Sequence, residues 1–306
     1  MGIVVIGTVF LDVKGFPEGA YIPNGRNAGR VEYVHGGVAR NVVEDIANLE
    51  LRPTFVGTVD ESAMGKDVID KLVRHKVNVD YIRTVPDGMG TWLALFDNNG
   101  DVAGSISKRP DSYHILGILE DHGEEMIKHC NSVILELDLH KDVVKKTFEL
   151  AEKYGKKVYA LVSNMRIAIE RRDFLQSLDC FICNEHEAGL LFLDDYTETS
   201  PEDMRDILAE KIKQANITAM IVTMGAKGAV YADIHGNKGC VPAKNVVVVD
   251  TTGAGDAFCA GAMSGLTYGK SLAESIQIGT TLASSVITSS ENVCPRFRPE
   301  EFGLNV

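Results

Sequence analysis

Asp256 stands directly behind a Gly253-Ala254-Gly255 turn, between the run Val246 to Val249 and the apolar stretch opened by Ala257-Phe258. The valines predict a buried strand, the glycines a turn and the remainder a helix. Gly253 and Gly255 permit backbone angles closed to other residues, so consecutive amides of residues 253–255 can point inward at the mouth of that helix. Such a mouth attracts anions. Asp256 falls in the first turn, where the helix dipole favours its ionised form and a substrate hydroxyl could hand it a proton. Donors for a phosphate and a base for a nucleophile thus lie within four residues, and the chemistry they suit is phosphoryl transfer. Taken alone, the same string is a glycine turn and a helix start with an ordinary acid.

Other segments carry compatible chemistry. Asp12 follows the first apolar run, and a short carboxylate there can accept two hydroxyl protons, as polyols require. His35-Gly36-Gly37-Val38-Ala39-Arg40-Asn41 opens a helix after a glycine pair. Asn184-Glu185-His186-Glu187 reads by itself as an N-cap with acids in the first turn, and Glu187 would suit a hydrated divalent ion. Thr223-Met224-Gly225-Ala226-Lys227-Gly228 reads as a turn between two strands, with Lys227 solvent-facing. No G-x-x-x-x-G-K-[ST] string occurs, nor the His-Arg-Asp and Asp-Phe-Gly strings of protein kinases.

The elements that must position these residues alternate strand-like and helical runs. Gly2 to Phe10 precedes a helical pattern from His35 to Leu49; strand-like runs recur at Ser132 to Leu137, Lys157 to Val162, Cys180 to Cys183 and Met220 to Thr223. This order predicts an α/β fold, a largely parallel sheet with helices on both faces, with the ligand crevice at the strands' carboxyl ends. Asp138, Asn184, Thr223 and Asp250 each stand at such an end. Residues 13–34, rich in Gly and Pro, and a hairpin signal from Thr91 to Val102 with Asn99-Gly100 at its turn predict a small β lid over about 13–34 and 88–107. No linker divides the chain, so residues 1–306 are expected to form one domain.

The 306 residues carry 31 basic and 43 acidic side chains, net charge −12, with 45% apolar content. That balance argues against nucleic acid or an anionic membrane as partner. With no span long enough for a bilayer and no signal-peptide pattern in Gly2 to Gly7, the cytoplasm is the expected compartment. The six cysteines lie mostly in apolar runs, and Cys180-Phe-Ile-Cys183 is expected to pack in the core rather than bind metal.

Asp-Thr-Thr-Gly-Ala-Gly-Asp-Ala-Phe resembles the signature of the PfkB/ribokinase family of sugar and nucleoside kinases, and the other segments follow in that family's order. The resemblance implies a ribokinase-like fold and transfer from ATP to a primary hydroxyl, with Asp256 as base and the amides of Gly253, Ala254 and Gly255 as anion donors. It further implies acceptor contacts at Asp12, Gly36, Gly37, Arg40, Asn41 and Asp138, and nucleotide contacts at Asn184, Thr223, Gly225, Gly228 and Thr252. Mg²⁺ would sit near Glu187, bridged to it by water, and K⁺ near Asp250. Arg40 beside Asn41 looks more like the pseudouridine and nucleoside branch than like ribokinase. A base would need a platform, and Phe16, Tyr21, Tyr33, Trp92 and Phe96 are the lid aromatics on offer. Ala160 to Arg166 departs from the family by lacking an Asp after its strand. Free-sugar kinases, a kinase of a vitamin-like hydroxymethyl compound, and a sensor without turnover are the alternatives. An exposed lid edge would suit a homodimer.

Overall fold

The computed structural model describes residues 2–305. In chain order the strands are β1 (Ile3–Ile6), β2 (Phe10–Pro17), β3 (Gly29–Gly36), β4 (Thr54–Val59), β5 (Asn78–Thr84), β6 (Gly90–Phe96), β7 (Val102–Lys108), β8 (Ser132–Glu136), β9 (Lys157–Leu161), β10 (Cys180–Asn184), β11 (Ala219–Thr223), β12 (Ala229–Asp233) and β13 (Lys238–Val241). The helices are α1 (Val38–Asn48), α2 (Ala63–Arg74), α3 (His114–His129), α4 (Lys141–Lys153), α5 (Met165–Glu170), α6 (Arg172–Leu175), α7 (Glu185–Phe192), α8 (Pro201–Ala215), α9 (Ala254–Thr267) and α10 (Leu272–Ile287).

Nine strands form one sheet in the order β13-β12-β11-β10-β9-β8-β1-β4-β5. From β11 to β5 neighbours run parallel, and β12 and β13 are antiparallel at one edge. β1 is buried throughout because both faces are covered: Val4 and Ile6 enter one core cluster, Ile3 and Val5 the other. Residues of α3, α4, α7 and α8 join the first cluster, and residues of α1, α2, α9 and α10 the second. Cys180 and Cys183 fall in opposite clusters, so their thiols lie on opposite sides of the sheet and cannot clamp one ion; Cys240, by contrast, is exposed. Among the described residues no helix is long and apolar enough to cross a membrane.

β1 lies between β8 and β4, so the direction in which strands are added to the sheet reverses between β1 and β8, where α/β sheets leave a crevice. A second, four-stranded sheet, ordered β3-β2-β6-β7, starts just beyond the end of β1. It begins at Phe10 and ends at Lys108, wider than 13–34 and 88–107, and therefore contains Asp12.

One expected strand is absent. Residues 246–249 leave the sheet as an extended connection, with Val247, Val248 and Val249 83%, 57% and 63% exposed. The edge is already closed by β13, and Val249 bonds instead to Ile287 O (2.7 Å) at the end of α10. An apolar run of four is compatible with a buried strand but does not require one, and here three of the four valines stay in solvent.

Candidate active site

Gly253 caps α9 in the left-handed region (φ 81°), and a Cβ there would lie 2.0 Å from Asn292 O. Gly255, by contrast, is an ordinary helical residue whose Cβ would meet nothing within 4 Å. Its backbone needs no glycine for torsional reasons; it opens onto free space that a side chain would occupy. The Ala254 N–H bonds Thr251 O (3.2 Å), and the first-turn amides beside it have no intrahelical acceptor by construction. Thr252 N–H bonds Asp250 Oδ1 (2.9 Å), so that acid shapes the turn.

Asp256 is reached from α1. Asn41 Nδ2 donates to Asp256 Oδ2 at 2.6 Å, and Asn292 Nδ2 donates to Asn41 Oδ1 (3.3 Å) and His35 O (3.0 Å). Burial pushes the Asp256 carboxyl up to about 7, against the pull of Asn41 and Arg40 and with help from the Asp12 charge. The dipole argument favoured an ionised acid, and desolvation outweighs it here. A base that must be ionised then predicts that kcat/KM rises with pH through about 7 and levels above it. A flat profile from pH 5.5 to 8.5 would contradict that role.

Asp12 arrives on β2 and packs against the glycine pair: a Cβ on Gly36 would sit 2.3 Å from Asp12 Oδ1, and Gly37 (φ 97°) brings its backbone against Thr8 O. Burial raises the Asp12 carboxyl, and Lys14 and Arg40 oppose it. Asp12, Asn41 and Asp256 thus face one crevice.

Two expected acceptor contacts are placed elsewhere. Arg40 is 1% exposed; its Nη1 bonds Glu44 Oε2 (2.6 Å), and its Nη2 bonds His35 O and Asn41 Oδ1. It orients Asn41 from behind, because adjacent helical residues point about 100° apart. The Asp138 carboxylate is fully buried and committed to Arg109 Nη1 (2.6 Å), Ser163 Oγ (2.6 Å) and Ser163 N–H (3.2 Å). Beside it Glu136, also buried, accepts from the Thr8 N–H (2.8 Å) and hydroxyl (2.9 Å), bridging β1 and β8 at the switch point; burial and the Asp138 charge raise its carboxyl. Arg109 and Ser163 gave no signal in the sequence, since their partners lie tens of residues away. The Ser163 hydroxyl fills the place where an acid was missed.

On the other side of α9, Asn184 and Glu187 form a reciprocal capping box: Glu187 N–H donates to Asn184 Oδ1 and Asn184 N–H to Glu187 Oε2, both at 2.8 Å. Among the described residues the other Glu187 oxygen accepts no hydrogen bond, and burial raises this acid. Thr223 ends β11, and Gly225 (φ 55°) and Gly228 (φ 100°) take conformations that suit glycine. Lys227 is not simply solvent-facing, for its ammonium bonds Thr197 O (2.7 Å), Thr199 O and Glu185 Oε2 (both 3.3 Å), tying this turn to the start of α7 and the loop after it.

The small sheet presents two unlike faces. Register places Asp12, Trp92 and Ser107 side by side on the crevice face, with Phe16 and Phe96 stacked at 4.7 Å farther along and Trp92 edge-on to Phe96. Tyr33 lies on the opposite face, 63% exposed.

Comparison with known proteins places these features in context. A profile described as "pfkB family carbohydrate kinase" matches residues 2–294. The guanosine-inosine kinase of Exiguobacterium acetylicum is 34% identical over 292 residues, 95% of each chain. The pseudouridine kinase of Escherichia coli (strain K12) is 25% identical over 94% of this chain and 90% of its own. Among solved structures, the ribokinase of Arabidopsis thaliana complexed with ribose and ATP superposes with a TM-score of 0.83 at 22% identity, covering 98% of this chain and 97% of that one. The fold is therefore ribokinase-like, and this chain belongs to the pfkB carbohydrate kinase family, phosphotransferases whose acceptor is an alcohol of a sugar or nucleoside.

Proposed function

We propose that this protein is an ATP-dependent kinase that phosphorylates the primary hydroxyl of a nucleoside's pentose. The observation that carries the reading is the Asn41–Asp256 pair at the open glycine mouth of α9, facing Asp12 across one crevice. In this reading Asp12 and Asn41 hold ribose hydroxyls, with the Gly36–Gly37 backbone allowing close approach. Asp256 takes the proton from the attacking hydroxyl as the nucleophile forms. First-turn amides of α9 stabilise charge on the transferring phosphoryl group, and the open space at Gly255 leaves its approach unobstructed. Nucleoside over free sugar is favoured by the crevice-facing Phe16, Trp92 and Phe96 and by the guanosine-inosine kinase similarity.

Asn184, Thr223, Gly225, Gly228 and Thr252 are assigned to the nucleotide. Among the described residues no three His, Cys, Asp or Glu side chains converge as a metal site. Mg²⁺, which keeps its waters and leans on phosphates, would need no such cluster, and Glu187 would accept from one of its coordinated waters. Bound there, the ion would neutralise phosphate charge. K⁺ belongs with carbonyls around the Asp250 turn.

The test is ADP release with Mg-ATP across inosine, guanosine, adenosine, uridine, pseudouridine, ribose and fructose. Turnover of a nucleoside supports the reading. Turnover of ribose or fructose alone keeps the kinase and overturns the acceptor, and silence throughout would favour a sensor.

We further read the chain as one kinase domain in which the small sheet is a lid, and its outer face as a homodimer contact. Val13, Val31, Tyr33, Leu93, Leu95 and Ile106 share that face, and Ile106 is 70% exposed. A dimer mass for the native protein and a monomer mass for Ile106→Lys are expected in light scattering; a monomeric native protein would refute the contact.

A further inference from the structure

α1 carries a polar stripe on a buried side. Asn41, Asp45 and Asn48 recur four and three residues apart, so they share one side of the helix, and they are only 6%, 0% and 3% exposed. Buried polar groups need partners, and all three find theirs in the segment that follows α10. Asn292 Nδ2 donates to Asn41 Oδ1 (3.3 Å), the Cys294 N–H to Asp45 Oδ1 (2.6 Å) and Asn48 Nδ2 to Cys294 O (2.7 Å), while the Phe297 N–H bonds Asn48 O (2.8 Å). Residues 292–297 are thus a strap hydrogen-bonded along α1. At its head Asn292 meets both halves of the site. Its carbonyl oxygen lies 2.0 Å from where a Gly253 Cβ would stand, and its side chain reaches His35 O (3.0 Å) beside the glycine pair.

Resting on the reading of Asp256 as the base, we propose that Asn292 is a positioning residue: it fixes the direction of the Asn41 amide, so that Asp256 meets an N–H and not a carbonyl. That direction is set by groups with no choice of role. His35 O can only accept, which turns Asn292 Nδ2 toward it. Arg40 can only donate, and its Nη2 fills one lone pair of Asn41 Oδ1 while Asn292 fills the other. Asn41 is left with its Nδ2 for Asp256 Oδ2 (2.6 Å). Were the amide turned over, two oxygens would confront each other, and only a protonated Asp256 could bridge them. An acid in that state cannot take a proton from a hydroxyl.

The bond shows in the pH dependence. Burial pushes Asp256 up to about 7, and the Asn41 hydrogen bond pulls against it. The other groups whose charge bears on this carboxyl are Arg40 and Asp45 on α1, Asp12 on β2 and Cys259 one turn along α9, and each is left in place when Asn292 is replaced. A weakened Asn41 bond therefore raises the carboxyl further and moves the rising limb of kcat/KM to higher pH. A displacement of about one pH unit is the order expected for a hydrogen bond to a charged group. Below the midpoint that is about a tenfold loss, whereas well above it the ionised fraction is restored.

The experiment measures kcat/KM for the best acceptor from about pH 5.5 to 9 in the native enzyme, Asn292→Leu, Asn292→Asp and Asn48→Leu, with a melting temperature for each. Leucine keeps the volume of Asn292 but neither donates nor accepts, and its loss should be about tenfold greater at pH 6 than at pH 9. Asn292→Asp, nearly isosteric, sets an acceptor and a negative charge where the donor stood; it should move the limb at least as far, and it carries the test if the leucine variant does not fold. Asn48→Leu loosens the strap farther along α1 and should melt lower with the native midpoint. Losses of equal size at pH 6 and pH 9 in both Asn292 variants would overturn the proposal, as would the same displacement in Asn48→Leu. A flat native profile, or a near-native rate in Asp256→Asn, would instead sink the underlying reading of Asp256.

Discussion

Asp256→Asn is expected to lose about 10² to 10⁴ in turnover, the usual worth of a positioned base, and to melt at a higher temperature than the native protein at pH 8. The first effect follows from removing the acid that Asn41 hydrogen-bonds at the mouth of α9. The second follows from linkage. Burial raises this carboxyl from 3.8 in the unfolded chain to about 7 in the fold. Between those values the folded state holds a proton that the unfolded state has released, so stability falls as pH rises through that window. Below it the penalty vanishes; above about 7 it is complete. Asn escapes it at every pH. Steady-state ADP release and thermal melts at pH 5 and 8 check both halves. A near-native rate would remove Asp256 from the mechanism, and a melting difference that is the same at both pH values would refute the linkage.

Arg40→Ala should be the most damaging single change to the fold around the site. It strands Glu44, which is fully buried and held charged by Arg40 and Lys71 against the cost of its burial. Breaking such a pair from one side costs about 3–5 kcal/mol. It also frees the Asn41 amide, which Arg40 fixes with its Oδ1 backward and its Nδ2 toward Asp256. Denaturant unfolding should show the loss, with kcat falling as Asn41 loses its orientation. Removing both charges, as Arg40→Met with Glu44→Met, should restore much of the stability without restoring kcat. If Arg40→Lys instead raised the acceptor KM at unchanged stability, Arg40 would be an acceptor contact after all.

What was legible in the sequence is what is local. The glycine turn, the capping box at Asn184 and Glu187, and the order of strands and helices follow from short spacings. Arg40 was misplaced because adjacency to Asn41 along the chain says nothing about which way a helical side chain points. Asp138 was misjudged because its neutralising partners, Arg109 and Ser163, come from other strand ends. Such pairings appear only once the sheet is assembled. The valines before Asp250 imitate a strand because four apolar residues fit several environments. The ionisation of Asp256 depended on a burial that no residue near it in sequence reveals.

The residues assigned to the acceptor come from the first 163 positions, and those assigned to the phosphate donor from 184 onward. The two sets touch through few bonds, chiefly Asn41 to Asp256 and Asn292 to Asn41. Such a layout is modular. Drift in the small sheet and the ends of β8 and β9 can change what is phosphorylated while the donor machinery stays intact. New specificities in this scaffold are therefore best sought by varying positions such as 92 and 96, with the second half of the chain held constant.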